Sequence, residues 1–204
     1  MAGGLVGARI FYVVFHRSEF VGHGLDVIKM WQGGLMWQGG LLGGLLAGIL
    51  YFRWKKVPLA FAADILVPGV AFGQALGRLG CLFAGCCYGR YCTHPWAITF
   101  QNPAGMAPLK IPLHPTQLYD AGLNLLITGT LLLLSKASRF RPGTGGLMAL
   151  YLLLAGSARL AVEPFRADPR GPIVGPFSAT ALMAMVITLS GLVLLIKNGK
   201  NSRL

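Results

Sequence analysis

The sequence predicts an all-α fold: a polytopic membrane helix bundle of about six transmembrane helices, the first one short, around a polar cavity open to the outer side. Three observations carry this expectation. Hydrophobic residues make up 54% of the 204-residue chain and charged ones 12%, with a mean hydropathy of +0.62, the composition of a membrane protein. Apolar runs recur at the length of roughly 20 residues that a helix needs to cross a bilayer. Inside such runs sit Arg9, Arg78 and Arg159, each costing roughly 2.5–3.5 kcal/mol on insertion scales. Together they imply a cavity built for something anionic.

The elements follow in order, within one domain spanning residues 1–204. A short apolar run at 1–15 opens the chain; it has no basic n-region and no A-x-A site, which argues against a cleaved signal peptide. The second helix is expected over 33–52. It is entered through the hexapeptide MWQGGL, present at 30–35 and again at 36–41. Gly39, Gly40, Gly43, Gly44 and Gly48 then form small-xxx-small pairs, which let helix backbones approach closely. Further spans are expected over 62–84, 117–134, 145–163 and 174–196. Between the third and fourth lies the longest loop, 85–116, with five prolines, two histidines and an amphipathic WAITF segment; so long a loop in a small membrane protein is usually functional or interfacial.

Basic residues orient the bundle, because they concentrate in cytoplasmic loops. Nine of them, Arg53, Lys55, Lys56, Lys136, Arg139, Arg141, Lys197, Lys200 and Arg203, follow the second, fourth and sixth helices. Six others, Arg17, Lys29, Arg90, Lys110, Arg166 and Arg170, are spread over the longer opposite loops. The C-terminus is therefore expected in the cytoplasm and the 85–116 loop outside. The net charge of +12 falls in short clusters at helix ends, with no basic stripe or recognition motif. That pattern fits anionic membrane lipid and excludes nucleic acid as the expected partner.

Polar residues within the helices all approach the outer-leaflet level. Arg9 and Gln38 lie towards the outer ends of the first two helices, and Gln74 and Arg78 are i,i+4 neighbours on the third. His114, Gln117, Tyr119 and Asp120 cluster at the start of the fourth, and Arg159 and Glu163 are i,i+4 partners at the end of the fifth. Pro164 should end that helix and leave Arg166 on the outer loop. Asp64, the remaining acid of the third helix, lies at its opposite end from Arg78. Arginines left without carboxylates at headgroup depth suit a lipid phosphate, which a guanidinium binds through two parallel hydrogen bonds. Arg159 with Glu163 is equally explained as a structural pair.

Cys81, Cys86, Cys87 and Cys92 follow the pattern C-x4-C-C-x4-C. Zinc sites use C-x2-4-C pairs, and no histidine is spaced to complete one, so no metal is expected. In an oxidising compartment Cys86 or Cys87 is placed to join Cys92, while Cys81 also reads as a small buried hydrophobe. The GCCYG segment is expected to shape the helix exit.

Five blocks, GGLVGARIFYV, GGLLGG, GQALGRLGCLFAGCCYGR, HPTQLYD and RLAVEPFRADPRG, together resemble the prolipoprotein diacylglyceryl transferase family, in its GCCYG-type branch. The resemblance spans residues 3–171. It implies a bacterial inner-membrane enzyme, active towards the outer leaflet, that moves the diacylglyceryl group of phosphatidylglycerol onto the lipobox cysteine thiol of a preprolipoprotein signal peptide, without a cofactor. The family has seven spans and a cytoplasmic C-terminus, so one span fewer here fits a missing first helix. Arg78 matches the arginine of the family's GRxG block and Arg159 that of its R-x3-E block. With Glu163, His114 and Tyr119 they are the expected catalytic residues. Arg9, Gln38, Gln74, Gln117 and Arg166 are the expected substrate contacts.

The chain also departs from the commonest family pattern. Cys81, Ala84 and Cys86 replace asparagine, asparagine and glutamate, and Gln38 replaces a histidine. A glutamine cannot act as a base, which leaves Glu163, Asp120, Tyr119, His114 or solvent to take the thiol proton. A catalytically weak member that binds phospholipid or precursor without turnover is the alternative. A transporter is disfavoured because the inner halves of the helices are apolar.

Overall fold

A computed structural model of the chain describes residues 2–20, 24–167, 173–174 and 177–201. Arg170, Arg203 and Gly171 of the sequence reading lie outside them. The fold is all-α, with six α-helices among the described residues: α1 Ala2–Phe15, α2 Trp37–Trp54, α3 Leu59–Ala84, α4 Thr116–Leu134, α5 Gly146–Val162 and α6 Ala179–Asn201. Among the described residues, α3 to α6 are long and apolar enough to cross a membrane and α1 is a shorter apolar helix. Large side chains such as Leu126, Leu133, Val186 and Val193 are exposed, as the lipid-facing positions of such helices are.

Three helix starts differ from expectation: α3 begins early, at Leu59 instead of residue 62, and α2 and α6 begin late. α2 begins at Trp37 because Gly33 and Gly34 adopt positive φ, 87° and 69°, which stops helical propagation. α6 begins at Ala179 instead of residue 174. Its expected first turn is a two-stranded ribbon pairing Ile173–Val174 with Phe177–Ser178, and Ser178 Oγ accepts the Ala181 N–H at 3.1 Å as an N-cap.

The chain forms two compact units, Met1–Leu59 and Ala60–Leu204. In the first, α1 packs on α2 through glycine. A Cβ on Gly43 would lie 2.8 Å from Gly7 Cα, and one on Gly7 would run into the Gly39 carbonyl, so the small-xxx-small pairs are a packing seam. In the second, α3, α4 and α5 bury Val67, Ala71, Ile127, Leu131, Leu147 and Tyr151. Asp64, fully buried on α3, accepts N–H bonds from Gly143 at 3.0 Å, Gly145 at 2.7 Å and Met148 at 2.9 Å. It thereby caps α5 from another element, using a carboxylate where the helix N-terminus is electropositive.

Candidate functional site

The site is built from the exit of α3. Gly85 has φ +65°; its N–H bonds the Leu82 carbonyl at 3.2 Å, and the Cys86 N–H bonds the Cys81 carbonyl at 3.1 Å. This is a Schellman termination, which folds the residue after the glycine back onto the last helical turn. Residues 88–92 then run between two other segments. On one side Gly89 N–H meets His114 O at 3.1 Å and Cys92 N–H meets Pro112 O at 3.0 Å; on the other Arg90 N–H meets Phe165 O at 2.8 Å. Gly89 is required there, since a Cβ would run into the carbonyls of His114 and Phe165. Through this ribbon the chain after α5 is laid beside the start of α4.

Arg78, Asp120 and Arg166 meet as a result. Asp120 Oδ2 lies 3.2 Å from Arg78 Nε and 3.3 Å from Arg166 Nη1. One expectation is corrected here: Arg78 has a carboxylate partner. Arg166 lies in the segment after α5, yet it is 4% exposed, drawn in by Asp120 and the ribbon. Arg78 keeps 28% of its side chain exposed. Among the described residues its two Nη groups meet no acceptor, because Asp120 takes only Nε.

Beside this cluster, the Tyr119 hydroxyl accepts from Trp96 Nε1 at 2.8 Å and lies 3.1 Å from His114 Nδ1. His94 stacks on Trp96 at 4.6 Å, and Phe165 packs edge-on against His114 at 5.2 Å. His114 and Tyr119, both expected at the site, are thus brought together. Trp96 and Phe165 were not anticipated; the amphipathic WAITF segment carried the signal for the first.

Arg159 and Glu163 form a second cluster, linking α5 to α6. Arg159 Nη1 lies 2.6 Å from Glu163 Oε2 and Nη2 donates to Thr180 Oγ1 at 3.3 Å. Ser178 and Thr180 donate to Glu163 Oε1. The remaining expected residues are placed differently. Arg9 spends four N–H bonds on backbone carbonyls, those of Asp26, Val27, Gly33 and Gly34, and so clasps the α1–α2 connection. Gln38 and Gln74 are exposed on α2 and α3. Gln117 is fully buried, and its Nε2 donates to Cys86 O at 2.7 Å while, among the described residues, Oε1 meets no hydrogen-bond partner. Thr116 Oγ1 donates to Cys87 O at 2.8 Å.

The cysteines are free thiols. Those that converge are Cys81, Cys86 and Cys87, with their Sγ atoms within 4.8 Å of one another; the expected pairing with Cys92 is not formed, and Cys92 is buried separately. Burial, the contact with Cys81 and the Cys87 thiol push the Cys86 thiol up to about 12, so it is protonated at neutral pH and is no nucleophile.

The family profile described as prolipoprotein diacylglyceryl transferase matches residues 1–197. Among curated proteins, the chain is similar to the phosphatidylglycerol–prolipoprotein diacylglyceryl transferase of Geobacter sulfurreducens, with 36% identity over 93% of this chain and 72% of the relative. The proteins of the same name from Clostridium tetani and Bordetella avium are each 33% identical, over 84% and 98% of this chain and 67% and 75% of theirs. With the match running through every helix and the blocks that build the Arg78–Asp120–Arg166 cluster inside it, the chain belongs to the prolipoprotein diacylglyceryl transferase family.

Proposed function

We propose that this chain transfers the diacylglyceryl group of phosphatidylglycerol to the lipobox cysteine thiol of preprolipoproteins, at the outer-leaflet face of the bacterial plasma membrane and with its C-terminus in the cytoplasm. The observation that carries the reading is the open fork of Arg78, held through Nε by Asp120 with both Nη groups available. In the reaction the thiol sulfur forms a bond to the glyceryl carbon, the bond from that carbon to the phosphate oxygen breaks, and glycerol phosphate leaves as an anion. Positive charge held against the phosphate favours both binding and departure. Arg166 lies behind Asp120 and Arg159 in the α5–α6 cluster, each with a carboxylate beside it.

The thiol proton needs an acceptor. Asp120 and Glu163 are each engaged by arginine, which disfavours them as bases. His114 is the better candidate. Trp96 Nε1 donates to the Tyr119 oxygen, and the same hydroxyl shares a hydrogen bond with His114 Nδ1; in the Nδ1–H tautomer, where that bond runs from His114 to Tyr119, Nε2 carries the lone pair that takes the thiol proton. This assigns to His114 the role for which Gln38 is chemically unfit.

Transfer of labelled diacylglycerol from phosphatidylglycerol to a lipobox peptide, in detergent micelles, tests the reading. Arg78→Ala should insert and fold yet lose at least tenfold in transfer, since a hydrogen bond to a charged group is worth about 1.5–3 kcal/mol. Arg78→Lys should recover only part, because a point charge lacks the fork. Transfer at the parent rate in the alanine variant removes Arg78 from the reaction.

A further inference from the structure

We propose that Cys81, Cys86 and Cys87 form a three-thiolate site for a soft, monovalent d10 cation of the Cu(I) class. The first ground is geometric. The Schellman turn at Gly85 sets residue 86 over residue 81, and Cys87, in the left-handed conformation at φ +58°, brings a third sulfur within the same 4.8 Å. A metal bound to three sulfurs in a plane, at metal–sulfur distances of about 2.3 Å, needs them about 4 Å apart. The thiols therefore close on an ion by small side-chain adjustments, with no movement of the backbone.

The second ground is the donor set. Among the described residues, no histidine, carboxylate or fourth thiol joins the group. Structural zinc takes four protein ligands almost without exception. Three soft donors with no fourth suit Cu(I), whose selection rests on thiolate ligands. Each S–H gives its proton to solvent as its bond to the metal forms; no electron is transferred, and the ion enters already reduced.

The third ground is what the trio is attached to. The carbonyls of Cys86 and Cys87 are gripped by the fully buried Gln117 and Thr116, in the same first turn of α4 that leads to Asp120. An ion joining Cys81 to Cys86 and Cys87 would pin the exit of α3 to that turn, and so hold the carboxylate against which Arg78 is set. This consequence rests on the proposed function; the metal site does not.

The test uses the full chain, reduced and anaerobic in detergent, titrated with Cu(I) against a colorimetric Cu(I) chelator. One equivalent per chain should be retained. Cys81→Ser, Cys86→Ser and Cys87→Ser should each weaken retention at least tenfold, while Cys92→Ser should leave it unchanged. Maleimide labelling of the parent chain gives a reading that needs no variant: with Cu(I) bound, labelling of Cys81 and Cys87 should fall. Absence of retained copper overturns the proposal, as does equal loss in Cys92→Ser or unchanged labelling. Conversion of the trio to a disulfide under the same reducing conditions, read as a mass loss, overturns it too. None of these readouts depends on lipid transfer, so a negative result here and a failure of the transferase reading are separable.

Discussion

His114 owes its proposed role to its neighbours. Its Nδ1 is taken by Tyr119, whose hydroxyl is itself held by Trp96, so the ring orientation is set by a chain of two hydrogen bonds. General-base assistance is worth about 10²–10⁴-fold. His114→Gln should therefore lose about 100-fold or more in transfer with thermal stability retained, and Tyr119→Phe, which removes only the orienting hydroxyl, should lose less. Equal rates for His114→Gln and the parent return the proton to solvent. Asp120 is the complementary case, a residue whose loss is felt in folding. Asp120→Asn takes a carboxylate from the buried Arg166 and from Arg78 together, and breaking a buried pair by removing one partner costs about 3–5 kcal/mol. The melting temperature should fall accordingly. Replacing Arg166 with Met in the same chain should restore part of it, a coupling that a double-mutant cycle measures.

Elements meet here through small residues and polar clasps. α1 and α2 close on glycine against glycine, and α5 receives its N-terminal cap from Asp64 on α3. At the other end of α5, Arg159 and Glu163 reach Ser178 and Thr180 at the start of α6. Arg159→Gln should insert and fold, with transfer per folded molecule falling well below that of the parent, because the positive charge is lost. Glu163→Gln keeps the arginine and should lose less. Melting temperature and transfer rate on both variants decide the matter: equal destabilisation, with activity merely tracking folded protein, makes the pair structural only.

For the whole molecule, the proposed orientation rests on the asymmetry of basic residues along the sequence. Thr93, exposed in the 85–116 loop, and Lys197, exposed near the end of α6, lie on opposite sides in that arrangement. In spheroplasts, Thr93→Cys should add to the parent's labelling by a membrane-impermeant maleimide, and Lys197→Cys should add only after permeabilisation. The reverse pattern inverts the proposed topology and moves the site to the cytoplasmic face.

Composition and apolar run length were enough, by themselves, to determine an all-α membrane bundle, because burying backbone in lipid leaves helices as the way to satisfy its hydrogen bonds. The sequence blocks likewise determined the family. Partnership was decided elsewhere. Arg166 meets Asp120 across 46 residues, through a ribbon of irregular backbone that has no helical or strand period to read. Cys81 meets Cys86 and Cys87 because a glycine turns the chain, an outcome that ligand-spacing rules do not capture although the C3-to-C″ spacing of a Schellman turn does. MWQGGL makes the point most directly. Its first copy forms a short 3-10 turn and two left-handed glycines, whose carbonyls Arg9 holds. Its second copy is helical from Trp37, with Gly39 pressed onto α1. Six identical residues carry identical local preferences, so only the tertiary partners, a buried guanidinium for one copy and a facing helix for the other, select between the two conformations.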